Sequence, residues 1–321
     1  MRQILIVAGF ALGLSACAQA PAQSNGFGGG WVLYPPLSGA AAGHVRADPC
    51  SPSGYDRARL EALKATEFEI ADVDARQAFA KAIAACLGDP DPAVRDGLAF
   101  EALSHMLRAK QLDDATKRAL LVDLEARLSA PDPAGFGLPF AALALSEVAR
   151  ADRIEAFLSD EERAKLLVEA QHWFINISDY RGFSDQEGWR HAVAHGSDLL
   201  MQLALSPKVD EEGLRVIVSA VGMQVAPPGH AYVDGESERL ARPILVAAAR
   251  GVLSEQEWTE WLGALAKPRD ADAVFSSEAG LAWRHDVMGF LQALYGNVVV
   301  GSDPKDDVMR PGLEAALKAM P

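Results

Sequence analysis

Four helix starts with the same local chemistry recur at nearly regular spacing along the chain. Each has an apolar residue, then a short polar or acidic cap, then acidic or amide residues. They are Leu112-Asp113-Asp114, Leu158-Ser159-Asp160-Glu161, Val209-Asp210-Glu211-Glu212 and Leu253-Ser254-Glu255-Gln256. A cap oxygen accepts hydrogen bonds from free N–H groups of the first turn, and acidic residues suit the positive end of the helix dipole. Spacings of 44 to 51 residues are typical of stacked helical hairpins of the HEAT or armadillo kind.

The rest of the chain beyond Tyr55 has a helical pattern as well. Apolar residues recur at three- and four-residue spacing, as from Val73 to Leu87, and Val298–Val300 is too short to count as a strand. The sequence therefore predicts an all-α domain over residues 55–321, built of stacked antiparallel helical hairpins in a HEAT/armadillo-like α-solenoid. The alternative is a large all-α protein without repeats, because helix caps are common.

A recurring tripeptide also supports the repeat. Trp189-Arg190-His191 recurs as Trp283-Arg284-His285, 94 residues later, which is close to two such units.

The N-terminus carries the pattern of an export signal. Arg2 is followed by the uncharged apolar run Ile4–Leu14, which is too short to span a bilayer of roughly 30 Å, and Leu-Ser-Ala precedes Cys17. This arrangement resembles a bacterial lipobox and predicts a lipoprotein signal peptide over residues 1–16 with Cys17 acylated. Ala18 rather than Asp follows the cysteine, so in a Gram-negative cell we expect an outer-membrane lipoprotein facing the periplasm. The alternative is an ordinary secretory signal with a chance cysteine.

Residues 17–54 are rich in Gly, Pro, Ala and Ser and predict a flexible tether that spans on the order of 30 Å. With Cys17 lipidated, Cys50 and Cys86 remain, and an oxidising compartment would allow them to form a disulfide. The alternative for Cys86, which lies in an apolar helical stretch, is a buried free thiol.

The charge and the absent motifs exclude several function classes. The chain has 30 Lys and Arg against 44 Asp and Glu, a formal net charge of −14. Phosphate backbones repel such a chain, so nucleic acid is not an expected partner. The sequence has no Gly-x-Ser-x-Gly elbow, phosphate-binding glycine loop or Cys-x-x-Cys pair, which argues against common hydrolase, nucleotide and redox chemistry.

One segment could carry chemistry. We expect a polar loop up to Gly188 and a helix from Trp189 onward, in which His191, His195 and Asp198 form one stripe. Two imidazoles at i and i+4 can share one divalent metal such as zinc, with the carboxylate at i+7 as a third ligand. Ala192 stands where the metalloprotease motif has Glu. In this hypothesis Asp179 or Glu238 would act as a base.

The alternative is a structural network. The histidines and Asp198 would bind Asp179, Arg181 and the nearby backbone, and so lock a long loop onto the array. The stripe would then be satisfied internally rather than facing a groove. A second polar cluster contains Glu238-Arg239, which would form either a surface pair or a contact between Arg239 and a carboxylate on the stripe.

The central segment resembles a bacterial family classed as a domain of unknown function. The resemblance rests on the stretches Asp179-Tyr180-Arg181-Gly182-Phe183, Gly188-Trp189, His191, Ala194-His195-Gly196, Asp198-Leu199-Leu200, Val94–Ala99, Glu238–Ala241 and Phe290–Tyr295. It covers about residues 90–298 and implies an all-helical, HEAT-like domain, without an activity, substrate or cofactor. The chain departs from the family pattern at Asn176-Ile177-Ser178, where an acidic residue is usual.

Two functions follow from these patterns. The first is a lipid-anchored binding or scaffold module whose concave groove, including Trp189, holds an envelope protein, a peptide or a polymer. The second is a metal-dependent hydrolase that uses His191, His195 and Asp198.

Overall fold

The computed structural model describes residues 50–301 and 305–321. The predicted signal peptide over residues 1–16, Cys17 and the tether as far as residue 49 lie outside the described residues.

The described chain is all-α, as the sequence predicts. Its only strands, within the described ranges, form the two-residue antiparallel pair β1 (Phe183–Ser184) and β2 (Gly188–Trp189). The α-helices are α1 (Arg57–Ala65), α2 (Val73–Ile83), α3 (Pro92–Val94), α4 (Glu101–Arg108), α5 (Asp114–Leu128), α6 (Gly137–Ile154), α7 (Asp160–Ile175), α8 (Ala192–Ala204), α9 (Glu211–Gln224), α10 (Glu236–Ala249), α11 (Glu255–Leu265), α12 (Glu278–Val300) and α13 (Arg310–Ala319). Short 3-10 segments cover Ala84–Gly88 and Asp306–Met309, and a π-helical segment, Arg95–Phe100, joins α3 to α4.

The four predicted caps begin alternate helices, α5, α7, α9 and α11. Asp113, Ser159, Asp210 and Ser254 each accept a hydrogen bond from the backbone N–H three residues later. At Ser159 and Ser254 a glutamate also reaches back to the cap N–H, which completes a capping box. The sequence repeat therefore corresponds to a structural unit of two helices.

The helices between the capped ones form a row of their own. Helix α8 packs between α6 and α10, and α10 also packs on α12, while α7 contacts both α5 and α9. Helices two apart in the sequence are thus neighbours in space, which fits a stacked array of helical hairpins. The specific HEAT likeness stays a prediction.

Two local expectations were wrong. The helix of the central segment begins at Ala192 rather than at Trp189, because Trp189 pairs in the β-hairpin and His191 takes a left-handed conformation with φ 59°. The recurring tripeptide Trp283-Arg284-His285 lies inside α12, whereas Trp189-Arg190-His191 runs from the β-hairpin to the start of α8. The two tripeptides are therefore not structurally equivalent.

Cys50 and Cys86, the pair predicted from the sequence, form a disulfide with Cα atoms 5.3 Å apart. It ties the start of the described chain to the buried 3-10 segment after α2. None of the helices in the described ranges has the length and apolar character needed to cross a membrane.

Candidate functional site

The polar stripe of α8 lies in the interior. His191, His195 and Asp198 are all buried, because α8 is covered by α6 on one side and by α10 on the other. The His195 ring stands edge-on to Phe140 of α6, with ring centroids 4.9 Å apart, and the two imidazole centroids are 5.8 Å apart. Of the two alternatives for this stripe, a position facing a groove and a position in the interior, the structure shows the second.

Asp198 forms ion pairs with two arginines of α10. Arg239 donates from Nε to Oδ1 at 3.1 Å and from its terminal nitrogen to Oδ2, and Arg242 approaches Oδ1 at 3.4 Å. Of the two alternatives for Arg239, the structure shows the contact with the stripe. Burial raises the pKa of Asp198, and the Arg239 guanidinium acts in the opposite direction. The two-pronged geometry fixes α10 against α8.

His191 lies next to a buried carboxylate that the sequence did not single out. Its Nε2 is 3.6 Å from Oε1 of Glu236, the first residue of α10. Burial, reinforced by the positive charge of Arg239, lowers the pKa of His191 to about 4. Burial and the neighbouring His191 and Arg239 hold the pKa of His195 well below its usual value. Both rings are therefore neutral at neutral pH.

The predicted metal ligands do not form a ligand set. Within residues 50–301 and 305–321, no three His, Cys, Asp or Glu side chains come together in a way that could hold a metal ion. The oxygens of Asp198 are instead occupied by Arg239 and Arg242. Charge-assisted hydrogen bonds from the two guanidinium groups thus engage both oxygens of the carboxylate.

The loop before α8 is tied down by arginines from both sides. Arg95, fully buried in the π-helical segment, donates to the backbone carbonyl of Glu187 at 3.0 Å. Arg190 donates to the carbonyl of Ala134 at 2.9 Å and to the Glu187 carboxylate at 2.9 Å. Both guanidinium groups lie over the Phe136 ring, 4.2 and 4.1 Å from its centroid. These contacts join the loops that precede α4, α6 and α8 into one edge of the stack.

The structure explains why two positions of the central segment are occupied by glycine. A Cβ on Gly182 would overlap the Asp234 carboxylate, which accepts a hydrogen bond from the N–H of Phe183 at 3.2 Å. Gly188 has φ +71°, a conformation that L side chains rarely adopt, and it packs against Arg95. The loop before α10 is therefore joined to the same edge through Asp234.

The remaining predicted site residues lie at the surface of this edge. Asp179 and Arg181 form an ion pair with Nε to Oδ1 at 2.8 Å, and the Arg181 side chain is largely exposed. Glu238 is exposed and does not join the buried network. Trp189 is 37% exposed and stacks on His191, with centroids 4.5 Å apart. Phe183, 49% exposed, lies beside it at 4.8 Å.

Sequence reasoning missed several members of the network, namely Arg95, Glu236, Arg242, Tyr232 and Asp286. Asp286 of α12 is fully buried, accepts from the N–H of Tyr232 at 2.7 Å, and has its pKa raised to about 6, mainly by burial. The only sequence signal for Arg95 was its place in the upstream stretch of the resemblance. Glu236 lies two residues before Glu238, and nothing in the sequence distinguishes the buried glutamate from the exposed one.

The arrangement supports positioning rather than reaction. The charged groups around α8 are buried and mostly paired, and two cavities of the protein lie elsewhere, one at the ends of α4 and α6 and one between α9, α11 and α12. What the network holds at the surface is the β-hairpin with its aromatic pair.

A protein-family model matches the central part of the chain. The model of a family described as "Protein of unknown function (DUF2785)" matches residues 120–295, from α5 into α12, which is more than half of the chain. No curated protein and no solved structure matches the chain.

Proposed function

The chain belongs to the DUF2785 family of proteins of unknown function, and we propose that this member is a lipid-anchored binding module of the cell envelope. Its contact surface in this proposal is the aromatic platform, defined as Phe183 and Trp189 on the β-hairpin. Acylation of Cys17 would hold the helical domain at the outer membrane, facing the periplasm. The N-terminal sequence pattern supports this cellular location, and the disulfide agrees with an oxidising compartment.

The observation that carries the proposal is the contrast between the buried and the exposed residues of the central segment. His191, His195, Asp198 and Arg190 are buried. Phe183 and Trp189, by contrast, are 49% and 37% exposed. Exposed aromatic surface on a rigid support is the usual composition of an interaction site.

The aromatic platform is held by several contacts, and apolar, aromatic and charged side chains lie around it. Trp189 is supported from below by the buried His191 ring, and the hairpin backbone is fixed by Arg95 and Asp234. Val233, 77% exposed, lies in the loop before α10, directly after Tyr232, whose ring and that of His230 pack with Tyr180. Because Trp and Arg are enriched among residues that dominate protein–protein binding energy, the platform and the exposed Arg181 favour a protein partner.

A pull-down tests this proposal. The full-length lipidated protein and its Phe183→Ala/Trp189→Ala variant are incubated with detergent-solubilised envelope, and recovered proteins are titrated to saturation. The matched control is Phe275→Ala, which removes an exposed aromatic ring from a different loop. We expect a saturable partner that binds the wild type and the control alike and binds the double variant at least about tenfold more weakly, since hot-spot residues contribute about 2 kcal/mol or more.

Circular dichroism and thermal midpoints establish that each variant is folded. Repeated failure to recover a saturable protein partner, or equal binding by the double variant, would refute the proposal. Recovery of a polysaccharide instead of a protein would contradict the choice of partner.

A further inference from the structure

A groove separate from the aromatic platform lies between α9, α11 and α12. Its volume is about 760 Å³, within the range of pockets that hold small molecules and cofactors. We call it the tryptophan groove, because Trp261 of α11 and Trp283 of α12 line it together with Val218 and Met223 of α9.

The apolar lining of the tryptophan groove is both fixed and adaptable. Trp261 is held edge-on by Trp258 and Phe290, with ring centroids 5.7 and 6.1 Å away. Met223 is 60% exposed, and methionine side chains adjust to irregular apolar ligands. The lining therefore combines a fixed aromatic side chain with a flexible apolar one.

Two cations line the groove without partners. In the part of the chain that the structure describes, the side chains of Lys267 and Arg269 form no hydrogen bond or ion pair with any residue. Two acids line the groove as well, of which Glu257 pairs with Arg215 and Glu260 accepts a hydrogen bond from Gln256. The lining thus has three cations, Arg215, Lys267 and Arg269, against two acids, which is an excess of one positive charge in a chain of net charge −14.

We propose that the tryptophan groove binds a long-chain fatty acid anion. The acyl chain lies against Trp261, Trp283 and Met223, and Lys267 and Arg269 bind the carboxylate. An apolar chain with one anionic head matches a groove that offers apolar side chains and one pair of free cations.

A peptide matches this groove less well. Every residue of a bound peptide brings a backbone N–H and C=O that need partners when they are buried. The polar groups Arg215 and Glu257 of the groove are already paired with each other, at 2.9 Å. An acyl chain has no such groups, so it can be buried there without this cost.

Photolabelling of the full-length protein in lipid nanodiscs tests the assignment. The probe is hexadecanoate with a diazirine near the end of its chain, and peptide mapping locates the label. We expect labelling on peptides that contain Met223 and Trp283. The Lys267→Gln/Arg269→Gln variant, whose changes are at exposed side chains, should need at least about tenfold more probe for the same labelling, because the carboxylate loses its charge-assisted hydrogen bonds.

Matched controls isolate the charge. Lys110→Gln/Arg127→Gln removes one cation from the turn after α4 and one from α5, away from the groove, and should label like the wild type. The uncharged hexadecanol probe should label the groove poorly, and a lysophosphatidate probe tests whether a phosphate head binds instead of a carboxylate.

Three results would overturn the proposal: equal labelling by acid and alcohol, no effect of the Lys267→Gln/Arg269→Gln variant, or preferential labelling by the phosphate probe. Displacement of the acid by an apolar peptide but not by unlabelled hexadecanoate would likewise refute it. None of these results bears on the aromatic platform, whose test uses a different surface.

Discussion

His191 and Glu236 lie side by side in the interior, with the imidazole Nε2 3.6 Å from the carboxylate Oε1. Both residues are buried, and His191 Nε2 has no hydrogen-bond partner among the described residues. Burial lowers the pKa of His191 to about 4 and raises the pKa of Glu236. The contact therefore joins two groups whose charged forms the interior disfavours.

The His191 pKa predicts an acid-sensitive contribution to stability. Between about pH 6.5 and pH 4 the unfolded chain binds a proton at His191 that the folded chain does not, so the free energy of unfolding falls as the pH falls. Relative to a His191→Asn variant, which tolerates the left-handed backbone, the wild type should lose up to about 3 kcal/mol across this window. Urea titrations at a series of pH values measure the difference.

The raised pKa of Glu236 acts in the opposite direction, because its stabilising proton is lost as the pH rises. Both proteins retain Glu236, so the comparison isolates His191. The exposed His172→Asn variant serves as a control and should follow the wild type at each pH. Parallel pH profiles of the wild type and His191→Asn would contradict the prediction.

Removing Arg239 should be costly because it leaves the Asp198 carboxylate buried with only the more distant Arg242. We expect Arg239→Ala to lower the free energy of unfolding by about 3 kcal/mol. Adding Asp198→Asn should recover part of this loss, with a coupling energy above about 1 kcal/mol in the double-mutant cycle. Chemical denaturation measures all four proteins.

Arg215→Ala is the matched control for that cycle. Arg215 pairs with two carboxylates, Glu211 and Glu257, and both pairs lie at the surface, so its loss should cost less than about 1 kcal/mol. Equal costs for the two arginines would show that burial of Asp198 does not matter.

Gly182→Ala tests the contact between the hairpin and the loop before α10. The added methyl group would overlap the Asp234 carboxylate and displace it from the N–H of Phe183. We expect a loss of about 2 kcal/mol in the free energy of unfolding, in the range of other overpacked sites. Thermal and urea unfolding measure it.

Gly263→Ala is the control for this substitution. Gly263 lies in α11 with open space where a Cβ would be, so alanine should be neutral or stabilise the protein by up to about 1 kcal/mol. A Gly182→Ala variant as stable as the wild type would mean that Asp234 does not anchor the hairpin.

Reduction of the Cys50–Cys86 disulfide should destabilise the domain. The two cysteines are 36 residues apart in the sequence, and closure of a loop of this length contributes about 4 kcal/mol on the chain-entropy estimate. Urea midpoints with and without a thiol reductant measure the effect. The Cys50→Ser variant should match the reduced wild type and respond no further to reductant, and an unchanged wild-type midpoint would contradict the prediction.

Much of the fold could be predicted because its signals are local. A cap such as Ser159 or Ser254 acts on N–H groups within three residues of itself, and the helical spacing of apolar residues is set by the turn of a single helix. The start of α8 was missed for the opposite reason. Trp189 pairs with Phe183 and His191 takes a positive φ, and neither is visible in a helical pattern.

For the site, the sequence predicted which residues of α8 form the polar stripe, but not which residues they contact. The stripe of His191, His195 and Asp198 follows from helical geometry. Its partners Glu236 and Arg239 come from another helix more than 40 residues away, and the sequence alone does not show which face of α8 they cover. The same two imidazoles and one carboxylate are equally compatible with a metal site and with a buried network.

The sequence alone thus determined the helical class of this chain, its two-helix repeat and the residues of its polar stripe, because caps, periodicity and i, i+4 spacing depend on neighbours along the chain. Only the tertiary structure decided that α6 and α10 bury that stripe, that Asp198 binds arginines, and that Phe183 and Trp189 remain at the surface. These outcomes depend on how successive helices stack, and stacking is a relation between residues that are distant in sequence.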